Sequence, residues 1–211
     1  MIIAVDGPAA SGKGTLAGLM ARHYGLPHLD TGLLYRQVGM LWRPFEQDED
    51  AEARAAEIAR ALDATALDAE ILGTAENAQA ASKVAAFPEV RRALLQFQRD
   101  FANQPGGAIL DGRDIGTVIT PDADVKIFVT ASAEIRAGRR AKQFEKRGET
   151  VDFDALIADI RERDARDSGR KDAPLKQAED AHLLDTTDLS IEATLRAAVA
   201  IVDAVMARKI E

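Results

Sequence analysis

The chain of 211 residues has no cysteine. Disulfides, zinc ribbons and thiol catalysis are thereby excluded, and a reducing interior compartment accords with that composition. Long apolar runs are also missing. The N-terminal run is cut by Asp6 after a few residues, so no signal peptide is expected. Ala197 to Met206 contains Asp203 and is flanked by Arg196 and Arg208, too short and too charged to span a bilayer. A soluble, cytoplasmic protein is expected. Basic excess is absent as well: the net charge of −8 and pI near 5.0 argue against wholesale binding to nucleic acid. They leave room for a local basic cluster that binds small anions. The three histidines, His23, His28 and His182, have no paired metal spacing and read as structural or surface residues. No internal repeat or low-complexity linker stands out.

What is present begins with Ile2-Ile3-Ala4-Val5 running into GPAASGKGT, a strand that ends in a phosphate-binding loop. Glycines let successive backbone N–H groups turn inward around phosphate oxygens, and Lys13 sets a point charge on the outer phosphates. A helix beginning near Gly12 adds its positive end to the same pocket. Gly7, Pro8, Ala9, Ala10, Ser11, Gly12, Lys13, Gly14 and Thr15 therefore form the candidate site for a nucleoside triphosphate. The residue after Lys13 is Gly14, and the hydroxyl arrives one place later at Thr15. That G-K-G-T ending is similar to the form used by small nucleoside-monophosphate kinases.

Short β-rich runs at Ile2–Asp6, His28–Asp30, Ala108–Asp111, Val125–Val129 and His182–Asp185 alternate with helical patterns. The helices expected are Lys13–Tyr24, Leu34–Trp42, Ala51–Leu62, Glu89–Ala102, Ala133–Arg147, Asp154–Asp167 and Ser190–Arg208. Such alternation predicts an α/β fold in three layers, a five-stranded parallel sheet flanked by helices. The length suits one domain with mobile parts. Ligands of such sheets sit beyond the C-terminal strand ends, where Asp6, Asp30, Asp111 and Asp185 crowd one edge. Two stretches look like attachments to a core of about 1–45, 87–135 and 177–211. One, 46–86, is rich in alanine and acid and has no aromatic residue. The other, 136–176, is dense in charge, with Arg136, Arg139, Arg140, Lys142, Lys146 and Arg147 before Gly148. A charge run is more often a solvated helix face, but this one follows the fourth strand, where a lid closes on a triphosphate.

Asp111 ends an apolar strand and so brings a carboxylate to the ligand edge, where it suits Mg²⁺ or its waters, since Mg²⁺ bridges phosphates and keeps several water ligands. An Asp that merely caps the next turn is the plainer alternative. Arg113 and Asp114 follow it, and Thr31, Tyr35 and Arg36 follow the second strand.

Taken together, the words GPAASGKGT, LDTGLLYR, ASKVAAFPEVRRALL, LDGRDIGTVITPDADVKIFV, ERDARDSGR with APL soon after, and LLDTTDLSIE resemble bacterial cytidylate kinase over nearly the whole chain. The resemblance implies the P-loop NTPase fold with a mobile acceptor-binding arm at about 46–86 and a lid at about 136–176. It implies that Arg36, Arg113 and Arg170 clamp the acceptor phosphate, with Thr31 nearby, a role suited to guanidinium forks. Ser82, Arg91 and Asp114 are implied as readers of the cytosine edge, and Arg163 and Asp167 as pentose contacts. Lys13, Arg113 and the twin arginines Arg139 and Arg140 are implied at the transferred phosphoryl group, with Thr15 and Asp111 toward Mg²⁺, directly or through water. One departure from the family is that Leu62 to Ala80 shows little alternation, so the insert sheet of many members is expected to be shortened or absent.

The activity implied is transfer of the γ-phosphoryl group of Mg²⁺·ATP to CMP or dCMP by a monomer acting on small molecules, with neither nucleic acid nor membrane as partner. A P-loop kinase for another acceptor, such as UMP or shikimate, is the second enzyme reading. A nucleotide-dependent switch or binding protein is a third, although neither N-K-x-D nor D-x-x-G occurs.

Overall fold

The computed structural model describes residues 1–64, 67–148 and 150–209. Five parallel strands, β1 (Ile2–Asp6), β2 (His28–Asp30), β3 (Ala108–Gly112), β4 (Val125–Thr130) and β5 (His182–Asp185), lie in the order β2-β3-β1-β4-β5. β1 is central, with Val5 opposite both Asp111 and Ile127. The central strands β1, β3 and β4 are largely apolar because both faces are covered, whereas the edge strand β5 buries only Leu184. Ile3, Val5, Ile109, Ile127 and Val129 pack on α1 (Lys13–Tyr24) and α9 (Ile191–Arg208). Ala4 and Leu110 face the opposite core, built with α2 (Thr31–Trp42), α3 (Ala51–Arg60), α5 (Ala75–Val84) and α6 (Pro88–Ala102). This is the expected three-layer P-loop NTPase architecture.

A separate small core joins α7 (Ala133–Glu145) to α8 (Phe153–Gly169), where Ala137, Ala141, Phe144, Leu156 and Ile160 are buried and Ala75 of α5 packs against them. The charged run in 136–176 therefore has an apolar seam. No helix among the described residues is long and apolar enough to cross a membrane.

Several boundaries differ from expectation. α2 starts at Thr31 rather than Leu34, because the Asp30 carboxylate accepts the Gly32 N–H at 2.9 Å and caps the helix early. α8 runs two residues past Asp167 to Gly169, so Arg163 and Asp167 do share one helix while Arg170 is the first residue beyond it. Among the described residues of 62–80 there is no strand. Instead Asp68 caps a single turn, α4 (Ala69–Leu72), and Thr74 accepts the Asn77 N–H at 3.2 Å to start α5, which the sequence pattern missed. A π-helical turn, Ile115–Ile119, follows β3 and is tied to β1 by the Asp6 carboxylate, which accepts the Ile115 and Gly116 N–H groups at 2.8 Å each.

Candidate active site

The phosphate loop leaves β1 and enters α1. At Gly7 it runs against β4 so closely that a Cβ would lie 2.0 Å from the carbonyl oxygen of Val129. Ala10 has a φ of 59°, a left-handed conformation that costs an alanine about 1–2 kcal/mol and marks a loop held in shape by its surroundings. Arg139 Nη1 and Thr186 Oγ1 donate to the Ser11 carbonyl at 2.9 and 3.1 Å, and Arg136 Nη1 donates to the Ala9 carbonyl at 3.3 Å. With the Ala9 and Ser11 carbonyls held by these side chains, the loop can turn N–H groups toward an anion, although that of Ser11 donates to the Pro8 carbonyl at 3.4 Å.

Two cavities meet at the loop, and a third adjoins one of them. One, between α1, α7 and the start of α9, is lined by Gly12, Thr15, Leu16, Leu19, Arg139, Lys142, Leu189 and Ile191. The central one holds Lys13, Asp30, Arg36, Arg113, Arg140, Arg163 and Arg166. The third is walled by Thr31, Tyr35, Ser82, Arg91, Arg113, Asp114, Asp167 and Arg170. Gly32, Ser82, Gly112, Arg113 and Arg163 line both the second and the third, so those two are continuous.

The electrostatics call for an anion. Burial, together with the charge of Arg113, pushes the Lys13 ammonium down to about 8. Burial and Arg113 likewise push Arg163 down to about 9, and burial lowers Arg36 and Arg170. These groups remain cations at neutral pH, but as positive charge with too few partners. Asp167 is the chief counterweight, accepting from Arg113 Nε at 2.8 Å with Arg163 Nε at 3.9 Å. Burial alone would raise its carboxyl, and the Arg113 and Arg163 charges outweigh that and hold it below the usual range. Several buried polar atoms lack a protein partner, among them Ser82 Oγ, Arg163 Nε, Arg166 Nη1 and Arg170 Nη2. Such atoms normally find one, so a polar ligand is the natural occupant.

In the third cavity Arg91 pairs with Asp114, both buried, and the Arg91 guanidinium stands 5.7 Å from the centre of the Tyr35 ring. Burial works against that cation, while Tyr35 and Asp114 outweigh it and hold Arg91 up. A donor and an acceptor fixed side by side beside an unpartnered hydroxyl can read the edge of a heterocyclic base.

Beside the loop, a Cβ on Gly14 would lie 3.5 Å from Asp111 Oδ2 and 3.9 Å from both Asp111 Oδ1 and Asp30 Oδ2. Burial first, then the Asp111 charge, raises Asp30. Carboxylate oxygens from two strands beside the loop form an all-oxygen donor set that fits a hard divalent cation carried in by phosphates. Among the described residues no group of three or more His, Cys, Asp and Glu forms a cage that would hold a metal alone.

The fold thus gathers Lys13, Thr31, Arg36, Ser82, Arg91, Arg113, Asp114, Arg140, Arg163, Asp167 and Arg170 around two continuous cavities. Thr15 and Arg139 lie on the far side of the loop, and Arg139 is engaged by Ser11 and by Thr186. Arg36 donates to the Leu72 carbonyl at 2.9 Å, so it also holds the turn before α5.

Sequence reasoning missed three residues. His28, taken as structural or surface, contacts Asp111 through Nε2 at 2.7 Å; it precedes Asp30 by two on a strand and so shares its face, a signal that period alone gives. Burial would lower this imidazole, but the Asp111 hydrogen bond and the Asp111 and Asp30 charges together raise it. Arg166 follows Arg163 by one helical turn into the central cavity. Arg136 forks onto Asp164 at 3.0 and 2.6 Å while holding Ala9, and nothing local announces that long-range pair.

A family model described as cytidylate kinase matches residues 3–204. A protein named cytidylate kinase from Methylocella silvestris is 59% identical over 203 residues, covering 96% of this chain and 94% of the relative. One of the same name from Xanthobacter autotrophicus is 60% identical over 204 residues, covering 97% and 98%. Among solved structures, an uncharacterized protein from Eubacterium ventriosum shares the fold at TM-score 0.55 and 14% identity, covering 97% of this chain and 98% of that one.

Proposed function

This chain belongs to the cytidylate kinase family, and we propose that it transfers the γ-phosphoryl group of ATP to the phosphate of CMP, and of dCMP, giving the diphosphate and ADP. The observation that carries the acceptor assignment is the third cavity, where the unpartnered Ser82 hydroxyl and the Arg91–Asp114 pair lie next to the cationic cleft of Lys13 and Arg113. In this reading the base of CMP faces Ser82, Arg91 and Asp114, its pentose faces Arg163 and Asp167, and its phosphate meets Arg36, Arg113 and Arg170. The donor base lies in the cavity rimmed by Leu16, Leu19, Leu189 and Ile191, with its phosphates in the loop Gly7–Thr15.

An oxygen of the acceptor phosphate attacks the γ-phosphorus, and the bond from that phosphorus to the β–γ bridging oxygen breaks, leaving its electron pair on ADP. No general base is needed, because the acceptor phosphate is already anionic near neutral pH. The chain must hold two anions in line and neutralise the charge between them. Arg113 lines both cavities and is suited to the bridging position; Lys13, Arg140 and Arg166 face the same cleft. Asp111, with Asp30, would hold Mg²⁺ directly or through water, while Thr15 faces the donor cavity on the other side of the loop. When bound, that ion offsets the negative charge of the outer phosphates. Segments 46–86 and 136–176 serve as acceptor arm and lid, closing to exclude water. Every group invoked comes from one copy of the chain, so a monomer suffices.

The test is ADP formation from Mg²⁺·ATP with CMP, dCMP, UMP, AMP and GMP offered separately, beside a blank without acceptor. CMP and dCMP are expected to dominate, with CDP and dCDP identified by chromatography and little hydrolysis in the blank. Preference for another acceptor overturns the assignment of Ser82, Arg91 and Asp114.

A further inference from the structure

Asp111 and Asp30 are presented to the phosphate loop in the same manner. Each has one carboxylate oxygen engaged and the other facing Gly14. Asp30 Oδ1 accepts the Gly32 N–H at 2.9 Å, and Asp111 Oδ1 receives His28 Nε2 at 2.7 Å. Asp111 Oδ2 comes nearest to Gly14, 3.5 Å from where its Cβ would stand, while Asp111 Oδ1 and Asp30 Oδ2 lie at 3.9 Å. For Asp30 the orienting donor is backbone and comes with α2. For Asp111, which is almost wholly buried at 1% exposure, it is a side chain from the neighbouring strand.

His28 is itself seated. A Cβ on Gly18 of α1 would lie 3.8 Å from its Nδ1, so the ring fills the space between the loop-bearing helix and β3. A carboxylate only accepts, so Nε2 is the protonated nitrogen in this contact. From this geometry we infer that His28 is a positioning residue for the phosphoryl-transfer site: its Nε2–H fixes the Asp111 carboxylate so that Oδ2 faces the metal-bearing phosphates of the donor. The inference rests on the reading of Asp111 as the metal-facing carboxylate. Without the imidazole, the Asp111 side chain is free to rotate about its terminal torsion, and the oxygen offered to the loop is no longer fixed.

The test measures ATP affinity by calorimetry, once with Mg²⁺ and once with EDTA, for wild type, His28→Leu, His28→Gln, His28→Asn and Asp111→Asn. The glutamine amide nitrogen reaches as far as Nε2 does, whereas that of asparagine stops short. In His28→Leu and His28→Asn the Mg²⁺-dependent gain in affinity is expected to shrink about 10-fold, the low end for loss of an orienting partner around a metal. Affinity in EDTA is expected to stay unchanged, and His28→Gln to regain most of the gain. A purely structural role would instead lower the two affinities together. If wild type shows no Mg²⁺-dependent gain, or Asp111→Asn keeps it, the metal-facing reading falls and this inference with it. If Asp111→Asn loses the gain while His28→Leu keeps it, the role of His28 alone is overturned. Should His28→Leu fail to fold, equal gains in His28→Gln and His28→Asn overturn it.

Discussion

Asp6 ends β1 directly before the phosphate loop, and its surroundings oppose one another. Burial pushes the carboxyl up to about 7, helped by the Asp114 charge, while the Gly116 and Ile115 N–H groups and Lys13 pull it down without prevailing. An unfolded chain would titrate the same group at 3.8. Between those two values the folded protein holds more protons than the unfolded one, so stability falls as pH rises through the window. The favourable contribution of the neutral carboxyl is fully present below about 4 and is lost by about 7. Asp6→Asn has no proton to lose. Urea unfolding of both proteins from pH 4.5 to 8 is therefore expected to show the variant gaining on wild type by up to about 1.4 kcal/mol per pH unit, levelling above 7. Its constant cost, an amide N–H turned toward a backbone N–H, shifts that curve without changing its slope. A difference independent of pH would refute a raised carboxyl at this position.

Helix α5 brings Ser82 to the base cavity, and what fixes α5 is its closeness to α2. A Cβ on Gly39 would lie 2.7 Å from the Ala81 nitrogen and 2.8 Å from the Ala80 carbonyl carbon, so the two helices meet backbone to backbone. Gly39→Ala must push α5 outward, and Ser82 moves with it. The expected outcome is a rise of several-fold in KM for CMP with KM for ATP unchanged, because α5 contributes nothing to the cavity rimmed by Leu16 and Ile191. Equal effects on both constants would count against α5 as the acceptor-side element. α5 was also the least legible element in the sequence. Its buried residues, Asn77, Ala78, Ala80, Ala81, Ser82 and Val84, are mostly small and include two polar ones, so the period that exposes a helix with a leucine stripe is faint. β1 to β4 were legible because apolar runs ended in loops with definite chemistry, and α1 matched to the residue because its loop is itself a helix-start signal. Of the site, residues that carry ligand chemistry were legible from family words. Residues that hold other site residues, His28 on Asp111 and Arg136 on Ala9 and Asp164, were not, since their partners lie 83, 127 and 28 positions away.

Across the whole molecule the cavities are unequal. The one rimmed by Leu16 and Ile191 measures about 440 Å³, whereas the one around Arg91 and Asp114 measures about 50 Å³. Small-molecule pockets are typically about 300–1,000 Å³, so a nucleoside enters the latter only after the surrounding segments open. Segment 46–86 and segment 136–176 touch in this structure. The seam of Phe144, Leu156 and Ile160 packs against Ala75, and a Cβ on Gly73 would lie 2.1 Å from Arg147 Nη2. Both segments also wall the central cavity, through Ala75, Ala78 and Gln79 on one side and Arg140, Phe144 and Arg163 on the other. Acceptor binding that moves α5 must therefore move α7 and α8 with it, before any ATP is present. Hydrogen exchange with CMP alone is expected to slow in α7 and α8 as well as in α5. At an acceptor concentration of 100 times Kd, linkage limits the slowing to about 100-fold, equivalent to about 2.7 kcal/mol. Ala75→Asp sets a charge into the apolar seam and should keep the protection of α5 while losing that of α7 and α8. Protection confined to α5 in the wild-type protein would mean that the two segments close separately, each on its own nucleotide.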